Sequence, residues 1–219
     1  MKEPFLKLIS PPCCREDCLK NSPYADFSVP SVRETAERLF AEGRNDTEKT
    51  RSAYEFVRDR IAHSWDVQNH EISVTAPQVL AARHGICHAK VNLFTALLRF
   101  AGIPAGFCYQ KLTIWDTPES GFVLHGMVAV WLPEVGRWVR LDVRGNKPGV
   151  EARFSLGPEQ LAFPVREALG EIDYPLVFPE PLPSVMHAME SYQDCMELYL
   201  HGLPAEIPAA ELSNRNKEK

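Results

Sequence analysis

Residues 83–106 read RHGICHAKVNLFTALLRFAGIPAG, and no other stretch limits what this chain can fold into as strongly. Val91, Phe94, Leu98 and Ala101 fall on one helical stripe, and Leu93, Leu97 and Phe100 widen it. The spacing predicts a helix buried around most of its circumference. Gly102 is placed to end that helix in a left-handed turn, Ile103 to pack back on it, and Pro104 to prevent continuation. Cys87 then lies in the first turn, just after Gly85 and Ile86. The positive end of the helix dipole favours a thiolate there, and the unpaired N–H groups favour an anion. Most buried cysteines are inert packing, and Cys108, in GFCYQKL, and Cys195, in the last helical segment, are read that way. For Cys87 position alone leaves both readings open until a base is found.

Two strand-like runs supply the candidates: FVLHGMVAVWL and RWVRLDV, separated by the turn sequence PEVG. Val123, His125, Met127, Ala129 and Trp131 alternate onto one face of the first; Trp138, Arg140 and Asp142 share a face of the second. In an antiparallel hairpin the midpoint between 125 and 142 falls at Pro133-Glu134, inside the turn. His125 and Asp142 are therefore expected to face each other, unless a bulge at Gly136 shifts the register. A carboxylate beside an imidazole fixes its tautomer and stabilises the imidazolium, leaving the other ring nitrogen to take a proton from a thiol. Alone, His125 reads as an ordinary strand residue and Asp142 as a strand-end turn former. Together with a helix-start cysteine they form an arrangement that chance produces less often.

The rest of the chain frames this unit. Residues 1–30 read as an irregular arm rich in Pro, Cys and charge, and residues 31–150 as the core domain. Residues 151–212 read as Pro-rich loops and a last amphipathic helix around Ser184 to Tyr199, and 213–219 as a polar tail. Ser31 and Glu34 suggest a capping box for a first helix, SVRETAERLF. Asn45 and Asp46 offer caps for DTEKTRSAYEFVRDRIAHS, and Thr75 for APQVLAAR. A net charge of -5, from 24 basic and 29 acidic side chains, argues against a nucleic-acid surface. No apolar run is long enough to span a bilayer, and no signal-peptide pattern opens the chain, so no membrane role and a cytoplasmic protein are expected. Cys13, Cys14 and Cys18 do not follow a zinc spacing, so neither metal nor cofactor is expected.

With Cys, His and Asp in that order, the chain resembles the transglutaminase-like core, a branch of the papain-like cysteine enzymes. The resemblance covers roughly Thr50 to Asn146 and rests on three segments. YEFVRDRIAHSWD is similar to the helix and strand before the family's nucleophile. APQVLAARHGICHAKVNLFTALLRFAGIPAGFCY is similar to its Gly-x-Cys helix and Gly-Ile-Pro exit. LHGMVAVWLPEVGRWVRLD is similar to its His strand, turn and Asp strand. The whole looks most like the small stand-alone bacterial members. The family's His-Ala-Trp reads His125-Gly126-Met127 here, and His88 follows the nucleophile. The resemblance implies an α+β, papain-like fold in which a nucleophile helix packs on an antiparallel sheet. It makes Cys87 the nucleophile, His125 the base and Asp142 its orienter.

The activity implied is cysteine-dependent acyl transfer at an amide through a thioester, with hydrolysis (peptidase or amidase) ahead of transamidation because no residue pattern marks an amine pocket. A peptide, a protein or a small amide is the expected substrate. RHGIC also resembles the Arg-Gly-Gly-x-Cys of arylamine N-acetyltransferases, which stands as one alternative, and a non-catalytic peptide-binding module as another. For the oxyanion, the Cys87 N–H is one candidate donor. Trp65 in IAHSWD matches the family's Tyr or Trp position, with Gln78 behind it; Trp65 also reads as core packing. His88, Arg144 and Asn146 are candidates for substrate binding, set against packing for His88 and a polar Gly turn for the other two, and Lys90 reads as a solvated helix residue.

Overall fold

A computed structural model describes residues 6–10, 14–43 and 45–213. Eight helices lie among them: α1 (Cys14–Asp17), α2 (Pro30–Phe40), α3 (Asp46–Arg60), α4 (Ala76–Ala82), α5 (Cys87–Phe100), α6 (Pro183–Ser191), α7 (Cys195–Glu197) and α8 (Ala209–Ser213). Four strands, β3 (Ala105–Thr113), β4 (Phe122–Leu132), β5 (Arg137–Leu141) and β6 (Ile172–Asp173), form an antiparallel sheet in the order β5-β4-β3-β6. The pair β1 (Ala62–His63) and β2 (His84–Gly85) runs parallel. This is the α+β, papain-like arrangement. Among the described residues no helix is long and apolar enough to cross a membrane.

Helix α5 is the centre of the molecule: every residue from Cys87 to Arg99 is buried. Its exit is a Schellman turn, with Gly102 at φ +73°, Gly102 N–H on the Arg99 carbonyl and Ile103 N–H on the Leu98 carbonyl, both 3.0 Å. Ile103 is fully buried, which supplies the hydrophobic contact that accompanies this motif. Alternate residues of β4 (Leu124, Val128, Val130, Leu132) join α5 in the main core, whereas Met127 and Ala129 join Cys18, Cys108 and Trp138 in a smaller cluster on the other face. The main core extends from Ala25 to Ile207, with Tyr24, Phe27 and Val29 packed against it, so the C-terminal segments are part of it.

Local differences from the sequence reading have simple causes. Helix α2 starts at Pro30 with Val29 at its N-cap and no side-chain cap bond, so the Ser31–Glu34 box is not formed. Pro at a first helical position has its fixed φ already suited to the helix and lacks only an N–H that would be unpaired anyway. Asn45 does cap α3, accepting from Glu48 N–H at 2.9 Å. That helix ends at Arg60, and Ala62-His63 continue as strand β1 rather than as helix. The C-terminal helix is interrupted at Tyr192–Asp194, where Asp194 caps α7, and α7 runs into a π turn, Leu198–Gly202.

Candidate active site

Three elements converge on Cys87. Parallel pairing sets His63 beside Gly85, two residues before the cysteine. A Cβ on Gly85 would sit 2.8 Å from the Ala89 Cβ and 3.1 Å from Ser73 Oγ, so only glycine lets β2 run this closely into α5. No side chain caps α5, so its first N–H groups remain available at the cysteine.

His125 and Asp142 meet through Nε2 and Oδ2 at 2.8 Å. The hairpin behind this contact differs from the expected one. Val128 pairs with Leu141 and Leu132 with Arg137, which centres the turn on Glu134-Val135, one residue later than expected. Gly136 adopts φ +68°, and its N–H closes the turn on the Leu132 carbonyl at 2.9 Å. Asp142 therefore lies diagonal to His125 rather than opposite it. A shift of two residues preserves the face, and β5 has already ended at Leu141, so the carboxylate reaches across. Asp142 also accepts from the N–H groups of Arg144 (3.0 Å) and Ala162 (2.9 Å). Phe163 packs edge-on against the His125 ring, centroids 5.2 Å apart.

The electrostatics follow from these contacts. Burial works against ionising Asp142, but His125 and the two backbone donors outweigh it, and the carboxyl pKa is lowered. Burial likewise opposes protonating His125, and Asp142 and the Cys87 sulfur reverse that, raising its pKa. At Cys87 burial disfavours the thiolate; the charges of His88 and His125 and hydrogen bonds from His125 and His63 overcome it and hold the thiol well below its ordinary pKa. With Nε2 engaged by Asp142, Nδ1 is the His125 nitrogen left for the sulfur.

Cys87 is only 5% exposed and is reached through a cavity of about 260 Å³. Its walls include Trp65, Trp115, Tyr199, Leu203 and Phe163, with Arg144 and Lys147 on one side. Trp65 is stacked on Tyr199 at 4.6 Å. The C-terminal segment that brings Tyr199 is tied to the sheet by Leu124 N–H on the Pro204 carbonyl, 2.9 Å, and by Lys111–Glu206 at 3.0 Å. A wider, open trough of about 980 Å³ borders Arg140, Glu159 and Asp173, and Cys87 is not among its lining residues.

Other residues singled out in the sequence are placed as follows. Gln78 does not line the cavity: its Oε1 caps α4, accepting from Val74 and Thr75 N–H, both at 3.0 Å. His88 is buried away from the cavity because its ring fills the space over Gly126, with Nε2 3.0 Å from the Leu124 carbonyl. Any Cβ at Gly126 would fall 2.6 Å from His88 Nδ1, so the two departures from the family pattern are one packing solution. Arg144 lines the cavity, but its guanidinium grips Asp66, which also receives Lys147, and its backbone orients Asp142. Asn146 is spent on the loop, bonding the N–H (2.7 Å) and carbonyl (3.2 Å) of Ala152, and does not approach His125. Lys90 is fully buried rather than solvated, donating to the carbonyls of Ile61 (2.6 Å), Arg144 (2.9 Å) and Arg58 (3.4 Å). The sequence reading placed His63 and Tyr199 at helix ends and gave neither a role in the site. Cys13 lies outside the described residues; among those described, no cluster of three metal-ligating side chains occurs.

A helix-start cysteine against a strand histidine and an aspartate just past the neighbouring strand, on this fold, is the arrangement of the papain-like cysteine-dependent enzymes. The chain belongs to the Transglutaminase-like superfamily, whose core profile matches residues 33–143, just over half of the 219. Two solved structures are similar in part. A candidate cysteine protease from Cytophaga hutchinsonii has 17% identity and TM-score 0.48, over 64% of this chain and 46% of that one. The periplasmic domain of TgpA from Pseudomonas aeruginosa has 19% identity and TM-score 0.45, over 60% and 47%. The chain thus spans less than half the length of either. No curated protein sequence matches it.

Proposed function

We propose that the protein is a cysteine-dependent amide hydrolase, with Cys87 as nucleophile, His125 as general base and acid, and Asp142 as the residue that orients His125. The Cys87 thiolate adds to the amide carbonyl carbon, and the carbonyl oxygen takes the negative charge. The tetrahedral intermediate collapses as the C–N bond breaks, and the leaving nitrogen takes the proton held by His125. Water then attacks the thioester, giving one proton to His125; collapse breaks the C–S bond, releases the acid and returns the thiolate–imidazolium pair. The net change is amide plus water to acid plus amine.

The observation that carries this reading is the His125 Nε2–Asp142 Oδ2 contact of 2.8 Å beside a thiol whose pKa is lowered despite burial. Hydrolysis is preferred to transamidation because a 260 Å³ cavity around a buried sulfur has room for water more readily than for a second large substrate. The test is acylation by p-nitrophenyl acetate, read by intact mass. A single acetyl on Cys87, released by water and absent in Cys87→Ala, is the expected result. No adduct, or one on another cysteine, defeats the reading. Adding a primary amine separates the two outcomes: a dominant amide product would replace hydrolysis by transfer. A panel of peptides and small amides then identifies the substrate class.

A further inference from the structure

An acyl-transfer site needs a second donor for the oxyanion besides the Cys87 N–H, and Trp65, the residue the sequence suggested, is stacked flat on Tyr199 as a wall of the cavity. His63 has a stronger claim. It lines the same cavity as Cys87, is 4% exposed, and is close enough to the sulfur to help lower the thiol pKa. Its placement is rigid. The β1–β2 pairing fixes its backbone against Gly85, with Ala62 N–H on the Arg83 carbonyl at 2.9 Å and Ser64 N–H on the Gly85 carbonyl at 3.2 Å. Its ring stands edge-on to Tyr199, centroids 6.0 Å apart. Its Nδ1 is buried without a hydrogen-bond partner among the described residues. An unsatisfied buried ring nitrogen is costly and is retained mostly where the group has work to do.

We propose that His63 is a catalytic residue of the acyl-transfer reaction, its neutral imidazole N–H forming the oxyanion hole together with the backbone N–H of Cys87. This rests on the function proposed above. Burial favours the neutral ring, lowering the His63 pKa to about 4, so the group is a hydrogen-bond donor and not a second imidazolium. Among the described residues nothing claims Nδ1, so no fold contact fixes the ring's single proton on one nitrogen and it is free to serve the reaction. In the resting site that N–H stabilises the thiolate. When the sulfur bonds to carbon, its charge moves to the carbonyl oxygen one bond away. The same N–H follows it, with no reorganisation of the site. The donor set is then complete within α5 and β1, the two elements that β2 joins.

Two reactions of Cys87 separate this role from a structural one. Alkylation by iodoacetamide needs the thiolate and develops no oxyanion; acylation by p-nitrophenyl acetate needs both. His63→Phe keeps the ring's bulk and removes its donors. Acylation is expected to fall about 10²–10³-fold, the usual loss for one oxyanion donor. Alkylation is expected to change by no more than about tenfold, the effect of one pKa unit at the thiol. His63→Gln, which keeps an amide donor, should recover part of the lost acylation. Parallel loss of both reactions, unchanged acylation in His63→Phe, or a Gln variant no better than Phe would each overturn the assignment. Should His63→Phe not hold the wild-type Tm, the same ratio is read on His63→Leu. A wild-type protein that alkylates but never acylates overturns the acyl-transfer reading itself, and the assignment with it; acylating wild type with unaffected His63→Phe overturns the assignment alone.

Discussion

Cys87 and Cys108 are both buried, 5% and 0% exposed, and both lie within the α5–sheet unit. Their chemistry is opposite. Cys108 sits mid-strand in β3, paired with Met127 and packed with Cys18, Ala129 and Trp138; burial dominates there and raises its thiol pKa. Cys87 suffers the same burial, yet the charges of His88 and His125 and hydrogen bonding from His125 and His63 outweigh it and lower its thiol pKa. Depth alone therefore says nothing about a thiol's reactivity; the charges and donors within reach of the sulfur decide it.

The largest test of that contrast is His125→Ala, which removes both the proposed base and a major charge beside the sulfur. Acylation should fall on the order of 10⁶-fold, as for loss of the base in comparable triads. Iodoacetamide labelling of Cys87 at mildly acidic pH should slow toward that of Cys108. Rapid labelling that persists would shift the electrostatic origin to His88 and His63.

Asp142→Asn should cost about 10⁴-fold in turnover, because the amide can hold the wrong tautomer. It should also narrow the pH profile of acylation. The thiolate–imidazolium pair appears as pH rises through the lowered Cys87 pKa and is lost as pH rises through the raised His125 pKa. Asp142 is the largest favourable influence on His125, so the alkaline limb should move to lower pH. An unmoved limb would detach Asp142 from that titration.

Lys90→Met leaves the thiol's partners in place and attacks their support. It strands the carbonyls of Ile61 and Arg144, at about 1–3 kcal/mol for each buried acceptor, readable by urea unfolding. Burial lowers the Lys90 pKa to about 7, below that of an unfolded lysine. Between the two values the unfolded chain holds more protons, so this group's contribution is greatest at high pH and declines as pH falls toward 7. Lys90→Met should remove that dependence.

Gly126→Ala forces a Cβ to within 2.6 Å of His88 Nδ1 and should cost about 1–3 kcal/mol of stability. His88→Ala in the same chain should recover part of it, and independent effects in that double-mutant cycle would refute the coupling. Cys108→Ala is the smallest change, about 1 kcal/mol of stability with acylation unaltered; altered turnover would end the contrast between the two cysteines.

Sequence periodicity carried most of the architecture: the buried α5, its Gly102 exit and the alternation of β4 are local patterns. The facing of His125 and Asp142 was also legible, because two-residue periodicity survives a register error of two. Three things were not. Lys90 looks like any helix-surface lysine until three carbonyls from distant segments surround it. His63 was read as the end of α3, since IAHS continues a helical stripe; its strand depends on pairing with residues 84–85. Tyr199 lies in a segment whose contact with Trp65 follows from no local rule.

The strap formed by residues 198–206 has a consequence for biosynthesis. Asp142 precedes Tyr199 by 57 residues, 199 minus 142, so Cys87, His125 and Asp142 are all synthesised well before the wall that narrows access to the sulfur. Without that strap the cleft beside Cys87 would lack Tyr199, Leu203 and the Pro204 bond to β4. This later-made segment is therefore the one that sets the size of electrophile able to reach Cys87.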